Sequence, residues 1–294
     1  TFTQPKPLIP VAGKPIIAYI IDQLLEFGVD EIVFIIGHLG EKIETFVIEN
    51  YPNVKSEFVV QSERLGLGHA IYIAKNCIQD AEQVIIVLGD TIFDVDLGGM
   101  LKSSYSTLGV KKVDDPRRFG VVEIGNDGFI ERVVEKPTIP KSNLAIVGLY
   151  KITDVQGLLN ALKYNIDNDI RTVNEFQLTD ALMRMIEKGH KFLPVTVNNW
   201  FDCGKKEILL ETNAILLDKK DDPQQNLFPS CVIINPVAIG KDCKLENCVI
   251  GPHVTIDSHS EISNSIIKES IIGAHANIQN VFMEHSIIGA DVAI

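Results

Sequence analysis

An α/β domain with a Rossmann-like, mostly parallel sheet, followed by a parallel β-helix, is the architecture this sequence predicts. Three observations carry it. Up to about residue 217, strand-like and helix-like stretches alternate; from Cys231 onward an aliphatic residue recurs every five or six positions; between them lies KKDDPQQNLFPS, polar and proline-containing. Alternation of the first kind builds a parallel sheet with helices on both faces. A hexapeptide rhythm lets each short strand send one residue inward while three strands close a coil. The boundaries that follow are residues 1–218 for the first domain, 219–230 for a linker and 231–294 for the coils.

KPIIAYIIDQLLEFG reads as a helix: Pro15 suits a first helical position, the apolar residues fall at helical spacing, and Gly28 stops it. DEIVFIIG is a short β-branched run of the kind a buried parallel strand shows. EKIETFVIEN predicts a helix, SEFVVQ a strand, GLGHAIYIAKNCI a helix and EQVIIVLGD a strand. STLGVKKV, FGVVEIGNDGFIERVVEKP and LAIVGLYKI then make a strand-rich stretch, with NDG turning a hairpin. Helices return at EFQLTDALMRMIEKG and KKEILLETNAILLDKK, so the first domain carries an inserted or appended antiparallel part. In the coils, the aliphatic series runs from Ile239 through Leu245, Ile250 and Ile256 to Ile294. Every third member, Ile239, Ile256, Ile272 and Ile288, marks one coil per 16 or 17 residues. A β-sandwich alternates too, but without this fixed triple period.

At 294 residues the chain is long enough for a large core and more than one domain. With 46% hydrophobic and 22% charged residues, its composition is globular and not disordered. A net charge of −12 argues against nucleic acid or anionic membranes as partners. An acidic protein still binds phosphates through backbone amides, a metal or a few local lysines. No apolar run reaches the ~18–20 residues that span a bilayer, and no leader is legible. Five cysteines without CxxC pairing fit free thiols in a reducing, cytoplasmic compartment.

Three places in the first domain carry chemistry. In QSERLGLGHA a strand passes through a glycine pair into a helix, where backbone amides approach a ligand and the helix N-terminus favours acceptor atoms. On its own this signal is weak, because a glycine turn before a helix is more often structural. In VLGDTIFDVD a buried strand ends at Leu88 and Gly89 and delivers Asp90 at its carboxyl end, where open α/β sheets bind ligands. A carboxylate there suits Mg2+, which takes one or two carboxylates with phosphate oxygens and water. It suits a cap on the next segment equally, and Asp94 and Asp96 read as an ordinary acidic loop. The third place is the pair VVEKP and NWFDCG. Glu135 and Lys136 point to opposite faces of a regular strand, so both serve one ligand only if the strand ends or bends, which Pro137 permits. Asp202, two residues after the only tryptophan and two before Gly204, stands ahead of a helix as its cap, as a metal ligand, or as both.

Taken in order, PKPLIPVAGKPII, LGLGHA, VLGD, DPRRFGVVE, EKP, VGLY, NEFQLTD and WFDCG resemble the sugar-1-phosphate nucleotidylyltransferases, most nearly the glucose-1-phosphate thymidylyl- and uridylyltransferases, over roughly residues 4 to 218. The coils are similar to those of the longer members, and the β-helix family they resemble implies a left-handed coil. The resemblance implies that Lys6 contacts the triphosphate and the sugar phosphate, that Gln61, Gly66 and Gly68 hold the pyrimidine base, and that Asp90 and Asp202 carry Mg2+. It implies further that Gly120, Glu135, Val147 and Gly148 line the sugar and that Lys136 grips the sugar phosphate. The reaction so implied moves a nucleotidyl group from dTTP or UTP to a sugar 1-phosphate, with glucose 1-phosphate the expected acceptor, and releases pyrophosphate. Attack of a sugar-phosphate oxygen on an α-phosphate needs no covalent intermediate with the enzyme. It needs two polyanions held in line and their repulsion screened, work for which two carboxylates, one metal and two lysines are the expected parts. The prolines on either side of Lys6 mount it stiffly, as suits a phosphate clamp.

Members of that family carry a first strand and a glycine-rich loop of the type GxGxRLxP directly before the PKP segment. The sequence opens at Thr1, and a chain without those residues is expected to bind triphosphate poorly and to leave strand edges unpaired. Two other readings compete. Amino-sugar-phosphate acyltransferases built on similar coils often use a histidine base, and His253, His259, His275 and His285 lie in the coils, each in a polar slot that is not inward. A non-catalytic sugar-nucleotide sensor or scaffold is the other; the joint presence of Lys6, Asp90, Lys136 and Asp202 argues for the enzyme. The coils themselves predict a homo-oligomer, since stacked flat faces bury well against their equivalents. Gln61 suits thymine and uracil alike, so neither the base nor the sugar is singled out.

Overall fold

The computed structural model describes residues 4–220 and 228–294. Two residues with positive φ, Ala12 at 49° and Gly13 at 79°, close a tight hairpin between β1 (Pro10–Val11) and β2 (Lys14–Pro15). The apolar spacing noted above then produces α1 (Ile16–Glu26), which buries Ile16, Ile17, Ile20, Ile21 and Leu24. Alternation continues through β3 (Glu31–Ile36), α2 (Gly40–Asn50), β4 (Lys55–Val60), α3 (Leu67–Ile73), α4 (Lys75–Ile78), β5 (Val84–Val87), β6 (Thr91–Asp94) and α5 (Leu97–Lys102). The strand-rich stretch is β7 (Ser106–Lys112), β8 (Gly120–Ile124), β9 (Ile130–Glu135) and β10 (Leu144–Ile152). It is followed by α6 (Val155–Asp167), α7 (Leu178–Glu187), β11 (Phe192–Thr196), β12 (Asn199–Asp202) and α8 (Lys206–Asp218). Among these described residues no helix is long and apolar enough to cross a membrane.

By contacts the chain forms two compact units, one of Leu24–Leu88 and Phe93–Trp200, the other of Thr1–Gln23, Gly89–Ile92 and Phe201–Ile294. In the first, the main sheet runs β11-β7-β10-β8-β9, with β5 also on β10, and β3 and β4 form a separate parallel pair. The α/β architecture stands, and its pairing is mixed: β7–β11 is parallel, while β10 lies antiparallel to β5, β7 and β8. The reason is visible in LAIVGLYKI, whose residues from Ala145 to Ile152 are all buried. A strand apolar on both faces reads the same in either direction. The core of this unit packs Leu108, Val110, Val122 and Ile152 of the sheet against Leu158 and Leu162 of α6 and Leu178, Leu182 and Met185 of α7. The wholly apolar β5 is only half-buried along its length.

The second unit is dominated by the coils. Short parallel strands stack in three ladders, with partners 17 residues apart from Val232 to Val249 to Ile266 and 16 on to Phe282. Ile239, Ile256, Ile272 and Ile288 align in the second ladder, and Leu245, Ile262 and Ile278 in the third, as the sequence period requires. The stack is consistent with a left-handed β-helix. Its corners need left-handed backbone, and Asp242, Asn247, His253, His259, Asn264, Glu269, His275, Asn280, His285 and Asp291 supply it with φ between 42° and 60°. Most are Asn, Asp or His, the side chains that tolerate this region best after glycine. The four coil histidines are therefore corner residues. Against the coils lie the N-terminal segment and α8: Ile9, Val11, Ile16, Ile92, Cys203 and Leu209 share one apolar cluster with Ile271.

Neighbouring isoleucines test the inward register. Ile267 is wholly buried while Ile266 is 40% exposed. In urea unfolding, Ile267→Ala is expected to cost about 2–5 kcal/mol and Ile266→Ala under about 1 kcal/mol. Equal losses would contradict the register.

Candidate functional site

Lys6 opens a short 3-10 turn, Lys6–Leu8, between Pro5 and Pro7. The Leu8 and Ile9 amides donate back to Pro5 O and Lys6 O, both at 3.0 Å, and Leu8 and Ile9 are buried, so the turn is pinned from beneath. The Lys6 side chain is left exposed, and its Nζ donates to Gly204 O at 3.4 Å. Asp90 sits between β5 and β6, its carbonyl accepting from Cys203 N at 3.0 Å. Asp202 ends β12, and its Oδ1 accepts from Gly204 N at 3.1 Å. The helix-cap reading of Asp202 gives way here: α8 starts at Lys206, and the cap position belongs to Lys205, whose side chain makes no capping bond. Gly204 brings the carboxylates to one place. A β-carbon on it would stand 2.9 Å from Asp202 Oδ1 and 4.0 Å from Asp90 Oδ2, filling the space between them.

Burial raises the pKa of Asp90, the charge of Asp202 raises it further, and the Lys6 ammonium pulls it back. Burial pushes the Cys203 thiol up to about 12, so it adds no charge of its own. Two carboxylates in partly buried surroundings, both close to Gly204, fit a hard divalent cation. Asp90 and Asp202 are the residues that could hold one. Asp94 and Asp96, which the sequence placed in an acidic loop, have other occupations: Asp94 ends β6 and its Oδ2 accepts from Asn199 Nδ2 at 3.2 Å, and Asp96 caps α5 by accepting from Gly99 N at 2.9 Å.

The remaining candidates lie in the other unit. Gln61 follows β4; its Nε2 donates to Gly66 O at 3.2 Å and lies 3.2 Å from His69 Nδ1. Gly66 and Gly68 are pressed against the backbone of Glu175–Gln177. A β-carbon on either would come within 2.8 Å of Phe176 O, and Gly66 has φ 107° besides, so close approach demands both glycines. Gly120 pairs with Glu135 across β8 and β9, and a β-carbon there would stand 2.8 Å from the Thr179 methyl. β9 ends at Glu135, and Lys136 turns into the left-handed region at φ 42°. Its Nζ thereby comes to 3.6 Å from Glu135 Oε1, which a regular strand would forbid. Burial raises the Glu135 pKa; the Thr179 hydroxyl, donating to Oε2 at 3.0 Å, and the Lys136 ammonium oppose it. Val147 and Gly148 form a bulge in β10, where the register to β7 shifts. Val147 is buried, and Gly148 O accepts from Leu88 N at 3.0 Å.

The structure thus gathers Lys6, Asp90 and Asp202 in one unit. In the other it gathers Gln61 with Gly66 and Gly68, and Gly120 with Glu135 and Lys136. Sequence reasoning missed Thr179 and His69 as partners of these residues, although Thr179 lay inside the quoted NEFQLTD and His69 inside LGLGHA.

Sheet, bulge and coil first define a class, a mixed α/β protein joined to a stack of parallel coils. A family model described as nucleotidyl transferase matches residues 1–219, and the chain belongs to that family. It is 33% identical to the low-salt glycan biosynthesis nucleotidyltransferase Agl11 of Haloferax volcanii, over 75% of this chain and 62% of that protein. It is 38% identical to the bifunctional protein GlmU of Methanocaldococcus jannaschii, over 74% of this chain and 51% of that protein. The chain therefore spans only half to three-fifths of the length of these relatives. A glucose-1-phosphate thymidylyltransferase of Streptomyces griseus is 25% identical over 92% of this chain and 82% of its own length. A solved structure of UDP-glucose pyrophosphorylase complexed with UDP-glucose shares the fold, with a TM-score of 0.60 and 23% identity over 74% of this chain and 92% of that one.

Because the Thr179 hydrogen bond favours the ionised form of Glu135, Thr179→Val is expected to raise the Glu135 pKa further. A carboxyl-carbon NMR titration checks this, and a fall in the pKa would contradict it.

Proposed function

We infer that this protein transfers a nucleotidyl group from dTTP or UTP to a sugar 1-phosphate, with glucose 1-phosphate the first acceptor to try, and releases pyrophosphate. The observation that carries the inference is the convergence of Lys6, Asp90 and Asp202 about Gly204 in a chain of the nucleotidyl transferase family. A relative named as a glucose-1-phosphate thymidylyltransferase, similar over most of both chains, supports the acceptor and one of the two donors.

In this reading Asp90 and Asp202 hold Mg2+. When bound, the ion neutralises charge on the phosphates that react. Lys6, mounted on its proline-flanked turn, screens the triphosphate and the incoming sugar phosphate. Gln61, Gly66 and Gly68 hold the pyrimidine. Gly120, Glu135, Val147 and Gly148 line the sugar, and Lys136 grips its phosphate. A methyl group is worth only ~1–3 kcal/mol in a pocket, so use of both dTTP and UTP accords with such a site. The substrates are the proposed partners, together with further copies of the chain through the coils; a cytoplasmic location goes with the free cysteines.

A second reading, acyl transfer in the coils, has one observation in its favour: His253 Nε2 lies 2.9 Å from Asp218 Oδ1, a pairing that steadies an imidazole. Acetyl-CoA turnover with an amino-sugar phosphate separates it from nucleotidyl transfer.

Asp90→Asn and Asp202→Asn are each expected to lower Mg2+-dependent pyrophosphate release by about 100-fold or more while leaving the far-UV dichroism unchanged. A near-parental rate in either removes that residue from the metal site. Lys136→Ala is expected to raise the KM for the sugar phosphate by about 10–100-fold, and an unchanged KM counts against its role.

A further inference from the structure

Helix α8 follows directly on the Asp202–Gly204 turn, and one of its residues has no ordinary reason to be where it is. Asn213 is polar and fully buried. An amide in that position is costly unless each of its groups finds a partner, and here each does. Oδ1 accepts from the Ala12 backbone N–H at 2.8 Å and from Thr255 Oγ1 at 2.6 Å, while Nδ2 donates to the His253 carbonyl at 3.1 Å.

The partners come from two parts of one compact unit, and the helix that carries Asn213 is a third. Ala12, itself fully buried, is at the tip of the β1–β2 hairpin that follows the Lys6 turn, and its carbonyl accepts from Lys220. Thr255 lies on the coil strand Val254–Ile256, and His253 is the corner before it. Asn213 belongs to the helix behind Asp202. Asn213 therefore ties the Lys6 hairpin, the Asp202 helix and the second coil at one buried point, beside the more peripheral bonds of Lys220 to the Ala12 carbonyl and of Asp218 to His253. The apolar cluster that joins Ile9, Val11, Cys203, Leu209 and Ile271 fills the space around it but has no directional bond to set that register. The contact from Lys6 Nζ to Gly204 O spans the two segments that Asn213 ties together.

We propose that Asn213, held by Thr255 of the coil, is a positioning residue that sets Lys6 against the Asp202–Gly204 turn. The proposal rests on the nucleotidyl transfer inferred above. It gives the coils a direct part in that site, since one of their buried hydroxyls fixes the acceptor that holds the hairpin.

The test uses the full chain and two variants. Thr255→Val removes one hydrogen bond at the coil end, keeps the side-chain shape and touches none of the residues assigned to substrate or metal. Asn213→Leu removes all three bonds and is the harsher change. With Thr255→Val, kcat for pyrophosphate release is expected to fall about 3–10-fold while the KM for the sugar phosphate stays within about twofold. Hydrogen exchange is expected to quicken in peptides covering residues 6–15 and to stay unchanged in coil peptides covering residues 262–278. Asn213→Leu is expected to show both effects more strongly. Parental kcat together with parental exchange at residues 6–15 would overturn the proposal. So would a uniform loosening of both peptide sets, which marks a structural role alone. If the parent chain releases no pyrophosphate, the transfer reading fails on its own, and the exchange at residues 6–15 still decides whether the coil holds the hairpin.

Discussion

Two carboxylates stand close to Gly204, and the burial of Asp90 together with the neighbouring charge of Asp202 is the constraint that the surrounding segments must hold. Asp90 bears it most plainly: burial and the charge of Asp202 both disfavour its ionised form, while Lys6 and a backbone hydrogen bond work in the opposite direction. Such an arrangement is unstable unless the segments that carry the groups are held firmly. A strand end delivers Asp90, a turn bonded to Gly204 N delivers Asp202, and a proline-flanked turn with buried Leu8 and Ile9 beneath it delivers Lys6. A divalent cation with phosphate oxygens, as proposed above, would relieve this concentration of charge.

Holding those segments falls to the same compact unit that contains the coils. Coil residue Ile271 lies in one apolar cluster with Val11, Cys203 and Leu209. Where packing alone would leave the register loose, Asn213 adds directional bonds to Ala12, His253 and Thr255. The repetitive coil and the irregular segments around Lys6 and Asp202 are therefore parts of one mechanical frame, although they lie far apart in sequence.

How much of this was legible beforehand depended on whether the deciding contact was local. The coils were legible because an inward position recurs at fixed spacing, and the series of partly buried Ile239 and fully buried Ile256 and Ile272 obeys it. The corner histidines were recognisable as non-inward, and their left-handed backbone gives the physical reason. The antiparallel part that includes β10 was legible from the hairpin turn before it, but that β10 would also pair with β5 of the alternating stretch was not, because a run buried on both faces carries no sign of which strands flank it. Lys136 was half legible: Pro137 announced that the strand must end or bend, while the φ of 42° that brings its ammonium beside Glu135 is a product of the folded neighbourhood. Thr179 reaches Glu135 across 44 residues and Asn213 reaches Thr255 across 42, and neither residue type signals such a partner along the chain. For Asp202, the helix-cap reading turned on a helix start at Lys206, a boundary finer than sequence patterns fix.

The most direct test of the account is pyrophosphate release with glucose 1-phosphate and Mg2+, run in parallel with dTTP, UTP, CTP, ATP and GTP and repeated with a chelator. The account predicts release with dTTP or UTP that the chelator abolishes. Release from none of these triphosphates, or release that persists without divalent metal, would contradict it.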